Sequence, residues 1–526
     1  MSKPELPPNL NLAPFVGRWI AVVRGQIIGV GRTAEEARQL AMHNRPKETP
    51  SLTFVSAEQQ IARQIAQLAP LAQIFDLAQA QQVEIYLVGG SVRDLLLGRP
   101  THDLDFAVSG DGLSIARQIA NALHAAYVPL DPERKTGRII LQEAGLYVDI
   151  ATMRGPDLLA DLHGRDFTIN AMALTRTAEG VWQLIDPLGG QTDMQQGILR
   201  AASDTSLEQD PLRTLRAVRM CAQFGCTLHP DTERAVHAAA ARLAHISAER
   251  LRDEWFKILT LPGAAQSIRR LDQLGLLGTL LPELAADGPS RPALDHATAT
   301  VEALERLWFS LTHPDQPANA LTPLLPFVAD LTARYESRIC DERTHLALLK
   351  CAALLHESAA DPAQSAQIAA TLARRWRCSN REINMLHTTI IGQAQVPTLV
   401  AQATWSRRDI YRFYRIGGEY GVDAALIALA CWHARQPTAS HQPAQRQRWI
   451  TVVAKLTEAY YLHRQTVIDP PLLLNGRDLL ALGIEPGPQI GALLANLHEE
   501  QAAGTINNCE QALAYVAQHS SQKGKL

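Results

Sequence analysis

Two aspartates separated by a single residue, Asp103 and Asp105, lie in the run His102-Asp103-Leu104-Asp105-Phe106-Ala107-Val108. On an extended strand, side chains alternate between faces. Both carboxylates then share one face while Leu104, Phe106 and Val108 turn toward a core. Carboxylate oxygens are hard ligands suited to Mg2+, which combines one or two of them with substrate phosphates; paired metals stabilise attacking and leaving oxygens together. Asp103 and Asp105 are therefore the expected metal ligands of a phosphoryl-type transfer. Asp149, in Tyr147-Val148-Asp149-Ile150, falls on a later predicted strand and is the candidate third carboxylate, with a salt-bridged surface aspartate as the competing reading.

Short acidic pairs are common, so D-x-D alone says little. Its neighbours add weight. Upstream, the apolar run Ile85–Val88 leads into Gly89-Gly90, then Ser91, placed to N-cap a helix, then Arg93 and Asp94. Such a turn brings bare backbone N–H groups and a positive helix end against a phosphate. Downstream, Asp210-Pro211-Leu212-Arg213-Thr214-Leu215-Arg216-Ala217-Val218-Arg219 reads as a helix. Asp210 and Arg213 lie one turn apart on it, Arg216 continues their stripe, and Leu212, Leu215 and Val218 form a separate apolar stripe. A fixed acceptor and donor at that spacing suit a base edge, and Arg216 and Arg219 are alternative triphosphate ligands. A solvated, salt-bridged face is the competing reading.

The carboxylates need a sheet to carry them, and the chain supplies the signals for one. From about 57 to 200, helix and strand patterns mix: a helix to Ala80, the strand at 85–88, a helix after the glycine turn, and strands near 138–141 and 146–152 joined at Glu143-Ala144-Gly145. Ahead of it, 19–23 and 27–30 alternate around a turn at Arg24-Gly25-Gln26. Thr33 to Glu36 then opens a helix with a capping box, and 52–55 is strand-like, giving a small ββαβ module. After Gln209, alanine, leucine and arginine recur at helical spacing, broken by Pro282, Pro323 and the stretch 436–447. The expected fold class is α+β: a mixed-sheet head followed by an all-α neck, body and tail. Boundaries are expected at 1–56 (accessory module), 57–200 (head), 201–285 (neck), 286–465 (body) and 466–526 (tail), with the polar end 520–525 disordered.

The 526 residues carry a net charge of −3, so contact with a phosphate backbone has to come from a local basic patch. No run approaches the ~18 apolar residues of a membrane span, and residues 1–10 contain no apolar signal core. A cytoplasmic location follows by default, and seven scattered cysteines with no C-x-x-C pair are expected to be reduced thiols. Nothing in the sequence points to a protein partner.

The motifs together carry a resemblance. G-G-x-V-R-D-x-L-L-G from Gly89, followed by the D-x-D of Asp103 and Asp105, resembles the head of the class II tRNA nucleotidyltransferase and bacterial poly(A) polymerase family. Gly164-Arg165-Asp166-Phe167-Thr168-Ile169-Asn170-Ala171 is similar to its R-R-D-F-T-x-N-A motif, with Gly164 in place of the first arginine. Residues 184–190 and 197–200 resemble its head-to-neck connection, and Asp210 to Arg213 its E-D-x-x-R motif, with Gln209 in place of glutamate. Asn475 to Leu480 and Gly483 to Gly491 resemble its tail, so the likeness runs from about 57 to 518.

The resemblance implies a nucleotide site of Gly89, Gly90, Arg93, Arg165, Asp166, Asn170, Asp210, Arg213, Arg216 and Arg219. It also implies Mg2+ on Asp103 and Asp105, and CTP and ATP joined to a tRNA 3' end with loss of pyrophosphate. Arg374, Arg375, Arg377, Arg407, Arg408, Arg412 and Arg415 become candidate RNA-phosphate contacts. Only 155–164 separates Met153-Arg154 from Arg165, where CCA-adding members carry a longer flexible loop; in the family a short loop goes with adding C but not the final A. Asp295-His296 and His356-Glu357 resemble an HD-type phosphohydrolase module, read here as a degenerate scaffold. The rival functions are poly(A) polymerase, an HD-type metal hydrolase and a catalytically silent RNA-binding protein.

Overall fold

The computed structural model describes residue 6 and residues 10–66, 68–177, 179–284, 291–313, 321–341, 343–436 and 443–520; the polar end expected to be disordered lies almost wholly outside them. The chain divides into two compact units, one of residues 1–213 and 224–236, the other of 214–223 and 237–526.

The first unit opens with β1 (Trp19–Val23), β2 (Gln26–Gly31), α1 (Ala34–Asn44) and β3 (Ser51–Phe54), the strands ordered β2-β1-β3. Arg24 and Gly25, both at positive φ, make the two-residue hairpin turn that matches strand twist. Thr33 caps α1 by accepting from the Glu36 backbone N–H. The Glu36 carboxylate returns to Arg32 N rather than to Thr33, so the expected capping box is only half made.

Then follow α2 (Ala57–Ala66), α3 (Ala69–Ala80), β4 (Ile85–Val88), α4 (Gly90–Leu96), β5 (Asp103–Val108), α5 (Gly112–Ala122), β6 (Ala126–Asp131), β7 (Thr136–Leu141), β8 (Leu146–Thr152), α6 (Leu158–His163), β9 (Ala173–Arg176), β10 (Trp182–Ile185), α7 (Gly190–Gln196), α8 (Ser206–Gln209) and α9 (Leu212–Phe224). The sheet order is β10-β9-β4-β5-β8-β7-β6. Among the described residues of this sheet, only β5 and β8 run parallel. On one face, Leu104, Phe106, Val148 and Ile150 meet Ile61, Ile74, Phe75 and Ile119 of the covering helices. On the other, Val88, Ala107 and Ala173 meet Leu162 of α6. The alternation in β5 thus sends Asp103 and Asp105 to the second face, as expected. β6 goes beyond the sequence expectation: it is a mostly exposed edge strand containing Pro129, so no apolar alternation marks it.

Among the described residues the second unit is helical, apart from a short strand pair at Arg338–Cys340 and Arg343–Thr344. The helices His345–Leu355 and Gly421–Arg435 are buried over nearly their whole lengths. Residues 474–516 close a smaller core around Leu474, Leu479, Leu497 and Val516. Asn475 starts the helix Gly476–Ala481 with a complete capping box to Asp478. Among the described residues no helix is long and apolar enough to cross a membrane.

Candidate active site

The carboxylates stand where one strand outruns its neighbour. β4 pairs with β5 as far as Leu87 opposite Phe106, after which Gly89, at φ 75° and ψ −142°, swings the chain into α4. Asp103 and Asp105 therefore project past the end of β4 with no ladder partner on that side. Ser91 takes the place of the missing strand: its Oγ donates to the Asp103 carbonyl at 3.1 Å and accepts from the Asp105 N–H at 3.0 Å. This corrects the sequence expectation for Ser91. The cap of α4 is Gly89, whose left-handed backbone starts the helix two residues sooner.

On the other side, the parallel register sets Asp149 beside Asp105. Arg138, opposite Asp149 on β7, grips it with two bonds of 2.7 and 2.8 Å. Asp149 is therefore both salt-bridged and adjacent to the pair. The Asp105 side chain reaches solvent, yet surrounding protein mass removes part of its hydration. That desolvation raises its pKa, repulsion from Asp149 and Asp103 raises it further, and Arg165 and Arg138 pull it down. Arg138 is itself raised, first by its bond to Asp149 and then by the attraction of all three aspartates. A crowded set of purely oxygen donors carrying excess negative charge fits a hard divalent cation.

Residues from two distant motifs meet beside it. A Cβ on Gly89 would lie 2.9 Å from Arg165 Nη1 and 3.9 Å from Asp105 Oδ2, so the glycine keeps this surface open. Arg165 is held at 3.0 and 2.7 Å by Asp161, a buried carboxylate whose other oxygen accepts from Arg154 N. Arg93 pairs with Asp94 at 3.0 and 2.9 Å and donates to Asn170 Oδ1. Asn170 Nδ2 donates in turn to Asp166. Arg93, Asn170 and Asp166 are thus one hydrogen-bonded chain, with Phe224 stacked 4.4 Å from the Arg93 guanidinium.

Asp210 and Arg213 do not share a helix as the sequence reading had them. α9 begins at Leu212; Asp210 sits in the connection before it, separated by Pro211, and its carbonyl accepts from Arg213 N at 3.0 Å. The Arg213 guanidinium donates to the carbonyls of Gly164 and Arg165 and to Ser206 Oγ, each at 2.8 Å. Buried Ser206 also donates to the Arg165 and Asp166 carbonyls. Gln209, in the glutamate position, is exposed and bonds Thr205 within its own turn. Arg216 and Arg219 belong to the second unit, where Arg219 bonds Glu254 and, at 3.0 Å, Gln223.

Arg138, Asp161 and Ser206 were not singled out in the sequence, and Ser91 only as a helix cap. For Asp161 a signal was present, since it precedes Arg165 by one helical turn. Residues 155–164 are not an open loop: Asp157 accepts from Ala160 N and caps α6. In the second unit, Arg375 pairs with Glu283, Arg377 with Glu249, Arg408 with Glu500 and Arg412 with Glu499. Arg374, Arg407 and Arg415 are exposed and make no ion pair among the described residues. His296 and His356 come together with ring centroids 5.8 Å apart.

Three family models match the chain: a poly A polymerase head domain over 85–200, a probable RNA and SrmB-binding site of polymerase A over 225–287, and a putative tRNA nucleotidyltransferase domain 2 over 352–517. An A-adding tRNA nucleotidyltransferase of Deinococcus radiodurans is 33% identical over 455 residues, covering 82% of this chain and 94% of the relative. A CC-adding tRNA nucleotidyltransferase of Synechocystis is 30% identical over 464 residues, covering 85% and 98%. Among solved structures, the Thermotoga maritima CCA-adding enzyme complexed with tRNA aligns over 88% of this chain and 98% of its own, with a TM-score of 0.58 and 23% identity. That last likeness is one of fold.

Proposed function

We propose a reaction for this site from one premise: the chain belongs to the tRNA nucleotidyltransferase family. The protein extends the 3' end of tRNA with nucleotides drawn from CTP or ATP. The RNA 3'-hydroxyl attacks the α-phosphate in line; the new O–P bond forms as the bond to the β-phosphate breaks, the hydroxyl gives up its proton and pyrophosphate leaves. The observation that carries this assignment is the edge of β5, where Asp103 and Asp105 project past β4 beside Asp149 and within reach of Arg165.

The family's transfer depends on a divalent metal, and we take it to be Mg2+ on Asp103 and Asp105. When bound, the metal lowers the pKa of the attacking hydroxyl and offsets charge on the leaving phosphates. The chain's own residues position the nucleotide. Gly89 and Gly90 leave bare backbone beside the carboxylates, Arg165 and the Arg93–Asn170–Asp166 chain meet its phosphates and sugar, and Asp210 and Arg213 shape the base end. Arg216 and Arg219 are further candidates for the triphosphate. The chain is organised as 1–56 (accessory module), 57–200 (head), 201–285 (neck), 286–465 (body) and 466–526 (tail), with body and tail gripping RNA, the body through residues such as Arg407 and Arg415. Seven free thiols support a cytoplasmic setting.

Within the family we favour addition of CC without the terminal A. The support is the short, capped α6 at the place where CCA-adding members carry a flexible loop. The test is extension of tRNA lacking its 3' end with Mg2+ and labelled CTP or ATP, resolved at single-nucleotide length. Growth by two C residues that then stops is the expected result; growth to CCA, or A added only to tRNA ending in CC, overturns the loop argument. Asp105→Ala is expected to abolish incorporation while leaving the circular dichroism spectrum unchanged, and retained incorporation refutes the carboxylate assignment.

A further inference from the structure

We propose that the helical body binds one zinc-class divalent cation through His296, His356, Glu357 and Cys431, as a structural staple built from none of the residues assigned to nucleotide transfer. Three stretches of chain converge there. His296 comes from the helix Arg291–Thr312, His356 and Glu357 close the helix His345–Leu355, and Cys431 lies on Gly421–Arg435. One ligand atom from each of the four lies within 4.8 Å of every other, a spread that a single ion spans.

The imidazoles are already set for metal. His356 Nδ1 is 2.7 Å from the Ala353 carbonyl; a carbonyl only accepts, so the proton sits on Nδ1 and Nε2 carries the lone pair. That Nε2 is buried with no hydrogen-bond partner among the described residues, on a side chain 1% exposed, and it lies at the cluster, 3.7 Å from Glu357. His296 Nε2 accepts from Arg435 Nε at 3.3 Å, so it is the unprotonated nitrogen of its ring, and it lies 3.4 Å from Cys431 Sγ and 3.7 Å from Glu357, with its lone pair released to a metal once Arg435 swings outward. A buried acceptor without a donor, surrounded by a second imidazole, a thiol and a carboxylate, is otherwise unexplained.

The donor set chooses the metal. Two nitrogens, one sulfur and one carboxylate suit zinc and its borderline neighbours, whereas Mg2+ and Ca2+ take oxygen. Binding releases the thiol proton, after which thiolate and carboxylate together balance the dication. Arg435, now paired with Glu357, supplies the positive charge in the metal's stead; its side chain is 59% exposed and is free to swing outward. Four protein ligands complete a tetrahedron and leave no position for an activated water, so the site pins three helices and does not hydrolyse phosphate esters.

The test uses the full chain carrying Asp103→Asn and Asp105→Asn, stripped with chelator and titrated with Co2+ alone. A thiolate-to-cobalt absorption band that saturates at one Co2+ per chain and is displaced by Zn2+ is expected. It should vanish in Cys431→Ser. His296→Gln, at a partly exposed position, is expected to weaken Co2+ binding at least roughly tenfold, which guards against misfolding of the cysteine variant. Zn2+ should raise the Tm of the parent. No band in the parent, or a band that survives Cys431→Ser, overturns the proposal; phosphatase activity appearing with bound metal overturns the closed, structural reading.

Discussion

At the scale of single residues, the candidate site rests on a serine that performs a strand's work. In the proposed role Asp103 and Asp105 extend past the end of β4 toward substrate, and losing the ladder on that side strands a backbone carbonyl and an N–H that Ser91 Oγ satisfies together. Ser91→Ala removes both bonds at a position 3% exposed, and a buried unpaired backbone group costs ~1–3 kcal/mol. The expected outcome is a lower Tm together with a lower kcat at nearly unchanged KM for CTP, because the aspartates lose their placement while the nucleotide contacts stay. A variant that loses Tm but keeps kcat would show the bonds to be structural only. The carboxylates were legible in the sequence because period-two alternation is local information. Ser91 was misread as a helix cap because its partner strand lies 12 residues away and the helix starts earlier, at Gly89, with a backbone angle that glycine adopts most freely.

Among elements, α6 and α9 act on one segment from opposite ends. α6 offers Asp161 to the Arg165 side chain, and α9 offers Arg213 to the carbonyls of Gly164 and Arg165. Arg165 is therefore fixed by side chain and backbone alike. Asp161→Asn takes the charge from a carboxylate 2% exposed and leaves Arg165 without its counter-ion, a loss of ~3–5 kcal/mol when a buried pair is broken. If α6 exists to aim Arg165, the KM for nucleotide rises more than kcat falls, and Arg165→Ala in the same background adds little further loss. Additive losses would separate the two residues. The head's strands with clear alternation, β4, β5, β7 and β8, could be read directly from the pattern. The edge strand β6 could not, because an exposed edge has no buried face to impose a pattern. The Asp210–Arg213 pairing was misjudged for a related reason: Pro211 delays the helix by a residue or two, and helix starts are the least determined feature of a periodic run.

At the scale of the whole molecule, the helical unit holds charges inside, which ties its stability to pH. Burial pushes Asp423 up, but Arg334 and His345 pull it further the other way, to about 2. A carboxylate depressed on folding stabilises the protein above its unfolded pKa of ~4 and loses that contribution as pH falls toward 2, an effect of roughly 2–3 kcal/mol. His433 acts in a higher window. Burial first, and then Arg446 and Arg306, lower it to about 4, so the folded state declines a proton that the unfolded chain accepts near ~6.5. Its contribution is whole above 6.5 and drains away as pH falls to 4. None of these partners is near its neighbour in sequence, which is why helical periodicity revealed the unit but not its interior charges. The urea midpoint is expected to fall between pH 7 and 4.5, with a shallower slope in His433→Gln. Asp423→Asn should lose ~3–5 kcal/mol at pH 7 by leaving Arg334 buried and uncompensated, yet become less sensitive below pH 4. A slope unchanged by His433→Gln would assign the upper window to other groups, and full acid sensitivity in Asp423→Asn would remove Asp423 from the lower one.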